Sequence, residues 1–332
     1  MSADLNSNEN KIKIAVIGLG KMGHFHLNAL EALQRGEFEN YYKGDSEILL
    51  SKIEICGVCD ISSDRLKSIS NINIFADYDD LIKKTLPDIA IIATPTQTHF
   101  DIAIAALNQG VNIFVEKPIV QTIDEFKILS DIADSKNLKI MAGHIERYNP
   151  VSVKLREILS AGTDINTTFA FTRTQQHDKR IQDDIVVDKL IHDIDLSMFF
   201  FGDIKNYEII DYKKTDNKVC ELKLNVRHKN SSGEIFVSWL TGNQTVRNIK
   251  LKQDKNLIEG DFLNKTLKVD GKYTDCKVPK WIESQNNQIK DELVDFIVHC
   301  FNKSKDLPAP LLTIKEIYNS VKIIQDISNQ LR

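Results

Sequence analysis

No apolar run in these 332 residues approaches the roughly 18 needed to cross a bilayer, which argues against a membrane-embedded class. Nor is positive charge in excess. Lys and Arg number 43 against 47 Asp and Glu, for a formal net charge of -4 and a pI near 6.1. A broad nucleic-acid footprint needs a basic surface, so that partner is not expected. A small anionic ligand held by two or three basic side chains remains compatible with this balance. Cysteine is scarce: Cys56, Cys59, Cys220, Cys276 and Cys300. Cys56-Gly57-Val58-Cys59 spells C-x-x-C, but inside a predicted strand, where residues three apart point to opposite faces. The pair reads as buried structural thiols. No second C-x-x-C accompanies it, so zinc is not expected. Repeats, low-complexity tracts and flexible linkers are also missing. The opening, Met1 to Lys11, is polar and lacks the apolar core of a signal peptide. It predicts a lead-in, disordered over residues 1–10, to a cytoplasmic protein.

What is there is ordinary for a globular chain: 42% hydrophobic and 27% charged residues, with a length that suggests two domains. Lys11 to Gly18 is a β-rich run ending in glycine. A helical pattern follows from Met22 to Leu33, with Met22, Phe25, Ala29 and Leu33 on one face. Gln34 to Lys52 is polar and irregular, an insertion or a helix extension. Strands are expected at Ile53 to Val58, Ile89 to Ala93, Val111 to Val115 and Lys139 to Ala142. Helices are expected at His99 to Asn108, with Gly110 just past its end, and from the capping box Thr122/Glu125 to about Lys136. Alternating strands and helices predict a parallel sheet covered on both faces.

After Asn149-Pro150 the pattern changes. Asn149 suits an N-cap and Pro150 the first turn of a helix to Leu159. A strand at Thr167 to Thr172 and a helix from about Asp184 to Phe201 follow. Four strand candidates come next: Tyr207 to Tyr212, Val219 to Arg227, Glu234 to Leu240 and Val246 to Lys252. Strands in series predict a largely antiparallel sheet. Two helices close the chain, one with Ile289, Leu293, Phe296, Ile297 and Cys300 on a face. The other is capped by Thr313 and Glu316, with the stripe Ile317, Val321, Ile324 and Ile327. The expected division is 1–143 for a dinucleotide-binding domain and 144–332 for a second α/β domain, with the last helix packing back on the first.

Gly18-Leu19-Gly20-Lys21-Met22-Gly23 matches G-x-G-x-x-G between a strand and a helix. The first glycine permits the tight turn, the second lets backbone approach a pyrophosphate, and the third lets helix and strand pack closely. Free N–H groups of the helix start, around Lys21 and Met22, then face the phosphates. Asp60 ends the second strand and is the candidate for the ribose hydroxyls, which favours NAD over NADP. It lies 37 residues beyond Gly23 rather than the usual 20 or so, and the Gln34–Lys52 stretch accounts for the excess. Ser62, Ser63 and Arg65 leave NADP open, and Asp60 also suits a plain turn.

Val115-Glu116-Lys117-Pro118 puts an amine and a carboxylate at the end of a buried strand, where ligands of open α/β sheets bind. The alternative for Lys117 is a surface lysine at a strand end. Asp188 and His192 stand at i and i+4 on a predicted helix and so share a face. Apolar neighbours bury part of that helix, and an imidazole so placed can serve as a general base. A core histidine in an ordinary helix pair is the other reading. Asp193 and Asp195 are possible supporting acceptors.

Four elements occur in one order: Gly18–Gly23, Ala93-Thr94-Pro95 with His99, Glu116-Lys117-Pro118, and Asp188-x-x-x-His192. Together they resemble the oxidoreductase family named for glucose–fructose oxidoreductase, inositol dehydrogenase and the rhizopine-catabolism protein. The resemblance covers nearly the whole chain. It implies an N-terminal Rossmann domain and a C-terminal α/β domain with a large, mostly antiparallel open sheet, often the interface of a dimer or tetramer. It adds Thr94, Pro95, His99, Glu116 and Lys117 to the cofactor-binding candidates. A second set, Gly143 to Pro150 with Arg180-Ile181, Val186-Val187-Asp188 and His192 to Asp195, resembles members that act on UDP-N-acetylhexosamines and oxidise the 3-hydroxyl to a ketone. Similar members usually carry glycine where this chain has Asp184, and small or apolar residues where it has Lys189 and Ile191, so the sugar itself is the least constrained point.

The resemblance implies hydride transfer from the sugar to NAD, with NADP as an alternative cofactor. His192 is the expected base, Asp188 its orienting partner, and Lys117 the donor to the developing alkoxide. Arg147, Arg173 and Arg180, with Tyr148 and Asn149 beside them, are expected at the substrate, because guanidinium matches phosphate geometry. Each arginine alone also suits a solvated face. A nucleotide-sugar substrate and a homodimer or homotetramer are the expected partners. The alternatives are a dehydrogenase of a free polyol such as inositol, an enzyme reducing an unsaturated substrate, and a non-enzymatic cofactor-binding sensor.

Overall fold

The computed structural model describes residues 11–37, 45–160, 166–177, 183–242, 244–276, 287–302 and 312–332. Two compact units divide the chain: Met1–Gly143 with Lys280–Ile314, and His144–Pro279 with Lys315–Arg332.

The first unit is a six-stranded sheet of β1 (Ile12–Ile17), β2 (Ile53–Cys59), β3 (Ile74–Phe75), β4 (Ile89–Ile92), β5 (Asn112–Glu116) and β6 (Ile140–Gly143). Its order is β3-β2-β1-β4-β5-β6, and every pairing is parallel. This is the strand order of dinucleotide-binding Rossmann sheets, which reverses between β1 and β4 and opens a crevice at their carboxyl ends. Parallel strands covered on both faces read as unbroken apolar runs. In β4 the residues Ile89, Ala90, Ile91 and Ile92 are all at most 1% exposed, and each isoleucine so buried contributes about 1.5–3 kcal/mol.

The helix Lys21–Gln34 buries Gly23, His26, Leu27, Leu30 and Leu33, whereas Phe25 is 42% exposed. The expected stripe through Met22 and Phe25 is therefore rotated. A histidine takes an inner position because a carboxylate meets it there. The polar stretch after Gln34 contains the helix Asp45–Leu50. Ser63–Leu66, β3 and the helix Tyr78–Thr85, capped by Asp77, were not expected. The capping box Thr122/Glu125 is present on Ile123–Lys136. Cys56 and Cys59 are buried free thiols, and burial pushes the Cys59 thiol up to about 12. The helix Gln288–Phe301 packs on Lys21–Gln34, with Phe296 facing Phe114 and Lys290 donating to the Glu37 carbonyl at 2.9 Å. It is thus this helix that belongs to the first unit. The final helix, Ile314–Gln330, lies almost wholly in the second unit.

The second unit is an eight-stranded sheet. Its strands are β7 (Thr167–Thr174), β8 (Asn206–Thr215), β9 (Lys218–Arg227), β10 (Ser231–Ser238), β11 (Val246–Gln253), β12 (Asn256–Asp261), β13 (Thr266–Val269) and β14 (Lys272–Thr274). The order is β14-β13-β12-β11-β7-β10-β9-β8. Only the β7–β10 pairing is parallel. The short polar strands β12, β13 and β14 extend the five expected ones. The helix Pro150–Ser160 begins where expected, with the Asn149 side chain accepting from Val151 N at 3.1 Å. The expected helix from Asp184 opens with a π-helical turn, Val186–Leu190, before the α-helix Ile191–Phe201. Among the described residues no helix is long and apolar enough to cross a membrane.

Candidate active site

In the first unit the site residues emerge from the carboxyl ends of successive strands. After β1 the chain turns at Gly18, whose φ of +93° favours glycine and where a Cβ would press on the Ala93 carbonyl at 2.7 Å. At Gly23 a Cβ would fall 1.7 Å from the Gly18 carbonyl oxygen, so this contact admits glycine alone. Above Gly20 a Cβ would meet nothing within 4 Å, which leaves the backbone open to a ligand. Gly20 caps the helix without any side-chain hydrogen bond, leaving first-turn N–H groups for an anion. These features fit a pyrophosphate.

Asp60, just past β2, is buried. It accepts from Leu19 N at 2.7 Å, Ser62 N at 2.8 Å and Arg65 at 3.2 Å. Burial opposes its ionisation, but those donors outweigh it and hold the carboxyl below its ordinary range. Three of its roughly four acceptor positions are used. It therefore ties the glycine turn to β2 and keeps one lone pair for a hydroxyl.

At the end of β4, Thr94 is half-buried and Pro95 exposed. His99 is buried, with Nδ1 2.9 Å from the Pro118 carbonyl and Nε2 2.8 Å from the Thr94 carbonyl. Either nitrogen can donate to the carbonyl it faces, so the ring bridges the β4 and β5 loops. The Glu116 carboxylate faces inward, to His26 at 2.7 Å. Lys117 follows it, half-buried, with a cis bond to Pro118.

In the second unit Asp188, Lys189 and His192 are all half-buried. The Lys189 ammonium lies 3.1 Å from the Asp188 carboxylate. Asp184 caps the π turn, accepting from Val186 N at 3.0 Å and Val187 N at 3.3 Å, which gives the residue standing in place of glycine a job of its own. Such turns re-aim side chains and recur at functional sites.

The arginines part ways with expectation. Arg147 is fully buried and gripped by Asp195 through Nε at 2.9 Å and Nη2 at 2.7 Å, with Nη1 on Glu316 at 2.9 Å. Arg173 holds Asp193 at 2.8–3.0 Å and Glu146 at 3.0 Å. Burial works against both guanidinium charges, but the carboxylates outweigh it and raise both. Tyr148 and Asn149 are buried as well, and Asn149 donates to the Phe262 carbonyl at 2.9 Å. These four are buried in the second unit and paired within it. Arg180 lies outside the described residues. Sequence reasoning passed over Arg247, which pairs with Arg173 across β7 and β11. Its side chain is 32% exposed, and it donates to Glu146 at 3.3 Å. Asp188 and Asp193 both lie within its electrostatic reach.

Residues 12–144 match the model of an oxidoreductase family with the NAD-binding Rossmann fold. UDP-N-acetylglucosamine 3-dehydrogenase of Acidithiobacillus ferrooxidans is 28% identical over 195 residues, 58% of this chain and 55% of that protein. The NAD-dependent scyllo-inositol 2-dehydrogenase of Bacillus subtilis is 26% identical over 204 residues, with the same shares. The matched stretches thus span about half the length of these curated relatives. Among solved structures, the same Acidithiobacillus enzyme superposes with a TM-score of 0.77 at 20% identity, over 96% of this chain and 97% of that one. A levoglucosan dehydrogenase in complex with NADH and levoglucosan gives 0.81 at 17% identity, over 97% of each chain. These likenesses establish a shared fold.

Proposed function

From a chain whose residues 12–144 belong to the Gfo/Idh/MocA oxidoreductases with the NAD-binding Rossmann fold, we propose an NAD-dependent dehydrogenase that oxidises a secondary hydroxyl of a sugar. The substrate in this reading is a UDP-N-acetylhexosamine, oxidised at its 3-hydroxyl. The observation that carries it is Lys117, an amine at the carboxyl edge of a Rossmann sheet, on the strand two places from the glycine turn in the sheet order. Bound NAD supplies the hydride acceptor. Gly18, Gly20 and Gly23, with the first-turn N–H groups of Lys21 and Met22, hold its pyrophosphate. Asp60 takes a ribose hydroxyl, and its carboxylate repels a 2′-phosphate, which favours NAD over NADP.

Lys117 donates to the substrate oxygen as negative charge develops on it, where a fixed cation stabilises charge better than bulk water. His192 takes the hydroxyl proton. Asp188, with Lys189 at 3.1 Å, orients the imidazole or the sugar. Arg247 takes the place of Arg147 and Arg173 as the guanidinium available to an anionic substrate group. A homodimer or homotetramer built on the second sheet, in the cytoplasm, fits this reading.

The inward turn of Arg147 and Arg173 favours a second reading, a dehydrogenase of a free sugar or polyol, which needs no diphosphate ligands. One assay separates the two. NADH formation is measured with UDP-GlcNAc, UDP-GalNAc, scyllo-inositol and levoglucosan at equal concentration. Preference for a UDP-sugar supports the first reading. Turnover confined to free polyols overturns it in favour of the second, and no turnover on any revives a cofactor-binding sensor.

A further inference from the structure

A buried pair stands directly behind Lys117. His26 is 0% exposed on the inner face of the helix Lys21–Gln34, and its Nε2 lies 2.7 Å from Glu116 Oε1. The other carboxylate oxygen accepts the N–H of Lys117 at 3.3 Å. The Phe114 ring meets the imidazole edge-on at 5.1 Å. Gly143, opposite Glu116 in the sheet register, makes room for the carboxylate. A Cβ there would stand 3.0 Å from it. On the far side of Lys117, the Pro118 carbonyl is held by His99 at 2.9 Å. The residues before and after Lys117 are thus each fixed by a buried histidine.

We propose that the His26–Glu116 pair positions Lys117 for its reaction. The inference rests on the reading of Lys117 as the donor to the substrate oxygen. Stability alone is a weak reason to carry such a pair, because buried polar and ionic pairs replaced by apolar residues are often neutral or stabilising. Burial opposes ionisation of Glu116, but His26 and Lys117 outweigh it and hold the carboxyl below its ordinary range. A fixed negative charge so placed both anchors the Lys117 backbone and attracts its ammonium. A displacement of about 1 Å in a catalytic group can cost about a hundredfold in rate. His26 and Glu116 touch neither substrate nor cofactor in this scheme and are positioning residues.

The test compares His26→Leu, His26→Gln and Glu116→Gln with Lys117→Met as the reference. Glutamine sets an amide N–H close to where Nε2 sits and keeps the donor, whereas leucine removes it. The readouts are kcat, KM for NAD, NADH affinity, Tm, and the acylation rate of Lys117 in the cofactor-free protein by mass spectrometry. His26→Leu is expected to lower kcat about tenfold or more and to change the acylation rate about threefold, with KM and NADH affinity within about twofold. His26→Gln is expected to keep kcat within about threefold of the wild type. Wild-type kcat and acylation in His26→Leu overturn the proposal, as does equal damage in His26→Gln. If His26→Leu does not fold, Glu116→Gln carries the same expectation, and wild-type kcat and acylation there overturn it. Should Lys117→Met keep wild-type turnover, the reading of Lys117 fails instead, and acylation alone decides whether the pair holds that side chain.

Discussion

The strands of the first unit are apolar inside and carry Asp60 and Lys117 at their carboxyl ends, with the His26–Glu116 pair set inward and further charge buried on the helix Gln288–Phe301. The second unit takes charge into its core. Arg147 with Asp195 and Glu316, and Arg173 with Asp193 and Glu146, are buried networks beneath the helix that presents Asp188 and His192. The difference teaches that an arginine beside a recognisable motif can be spent entirely on the scaffold. In the first unit the candidate residues stand at the ends of apolar strands, while in the second the frame itself is partly ionic. Damage to charge at the strand ends of the first unit should therefore read as lost activity or affinity, and damage to the buried arginine networks of the second as lost stability.

The largest stability effect is expected from Arg173→Met. It leaves Asp193 and Glu146 buried without their partner and should cost about 3–5 kcal/mol, read as a fall in Tm. A Tm within a degree of the wild type would erase the contrast between the units. Gly23→Ala comes next. Its Cβ cannot fit against the Gly18 carbonyl, and repacking costs about 1–3 kcal/mol. NADH affinity should drop about tenfold or more; unchanged affinity would detach the turn from the cofactor.

Asp60→Asn sharpens the comparison through pH. The folded carboxyl is held low, so its contribution is fully present above the unfolded value near pH 4 and is lost as pH falls below it. The Tm gap between wild type and variant, worth about 1.5 kcal/mol at neutral pH, should close in acid. A gap that persists at pH 2 would mean the charge is not what matters. Smallest is Thr122→Ala, which removes one half of a capping box at about 1 kcal/mol and should leave kcat unchanged.

What could be read along the chain was what is local. The Thr122/Glu125 cap, the glycine turn and the unbroken apolar run of β4 depend on neighbours a few residues away. His26 escaped notice because its partner, Glu116, is 90 residues distant, and a polar residue on a helix reads as surface. The buried pairings of Arg147 and Arg173 escaped notice for the same reason. Arg147 meets Asp195 48 residues on and Glu316 169 residues on, and no local pattern marks such a pairing. The strands β12, β13 and β14 were missed because they are short and half polar, held by pairing one on the next outward from β11 more than by a buried face. The helix Tyr78–Thr85 was legible in retrospect, with Asp77 as its cap and the pairs Asp79–Lys83 and Asp80–Lys84 at i,i+4.

Steady-state NADH formation by Lys117→Met and His192→Asn, each beside the wild type on the best sugar of the panel, bears most directly on the proposed chemistry. Each variant should bind NADH within about twofold of the wild type while kcat falls about 10²–10⁴-fold. Wild-type kcat in both variants would contradict the assignment.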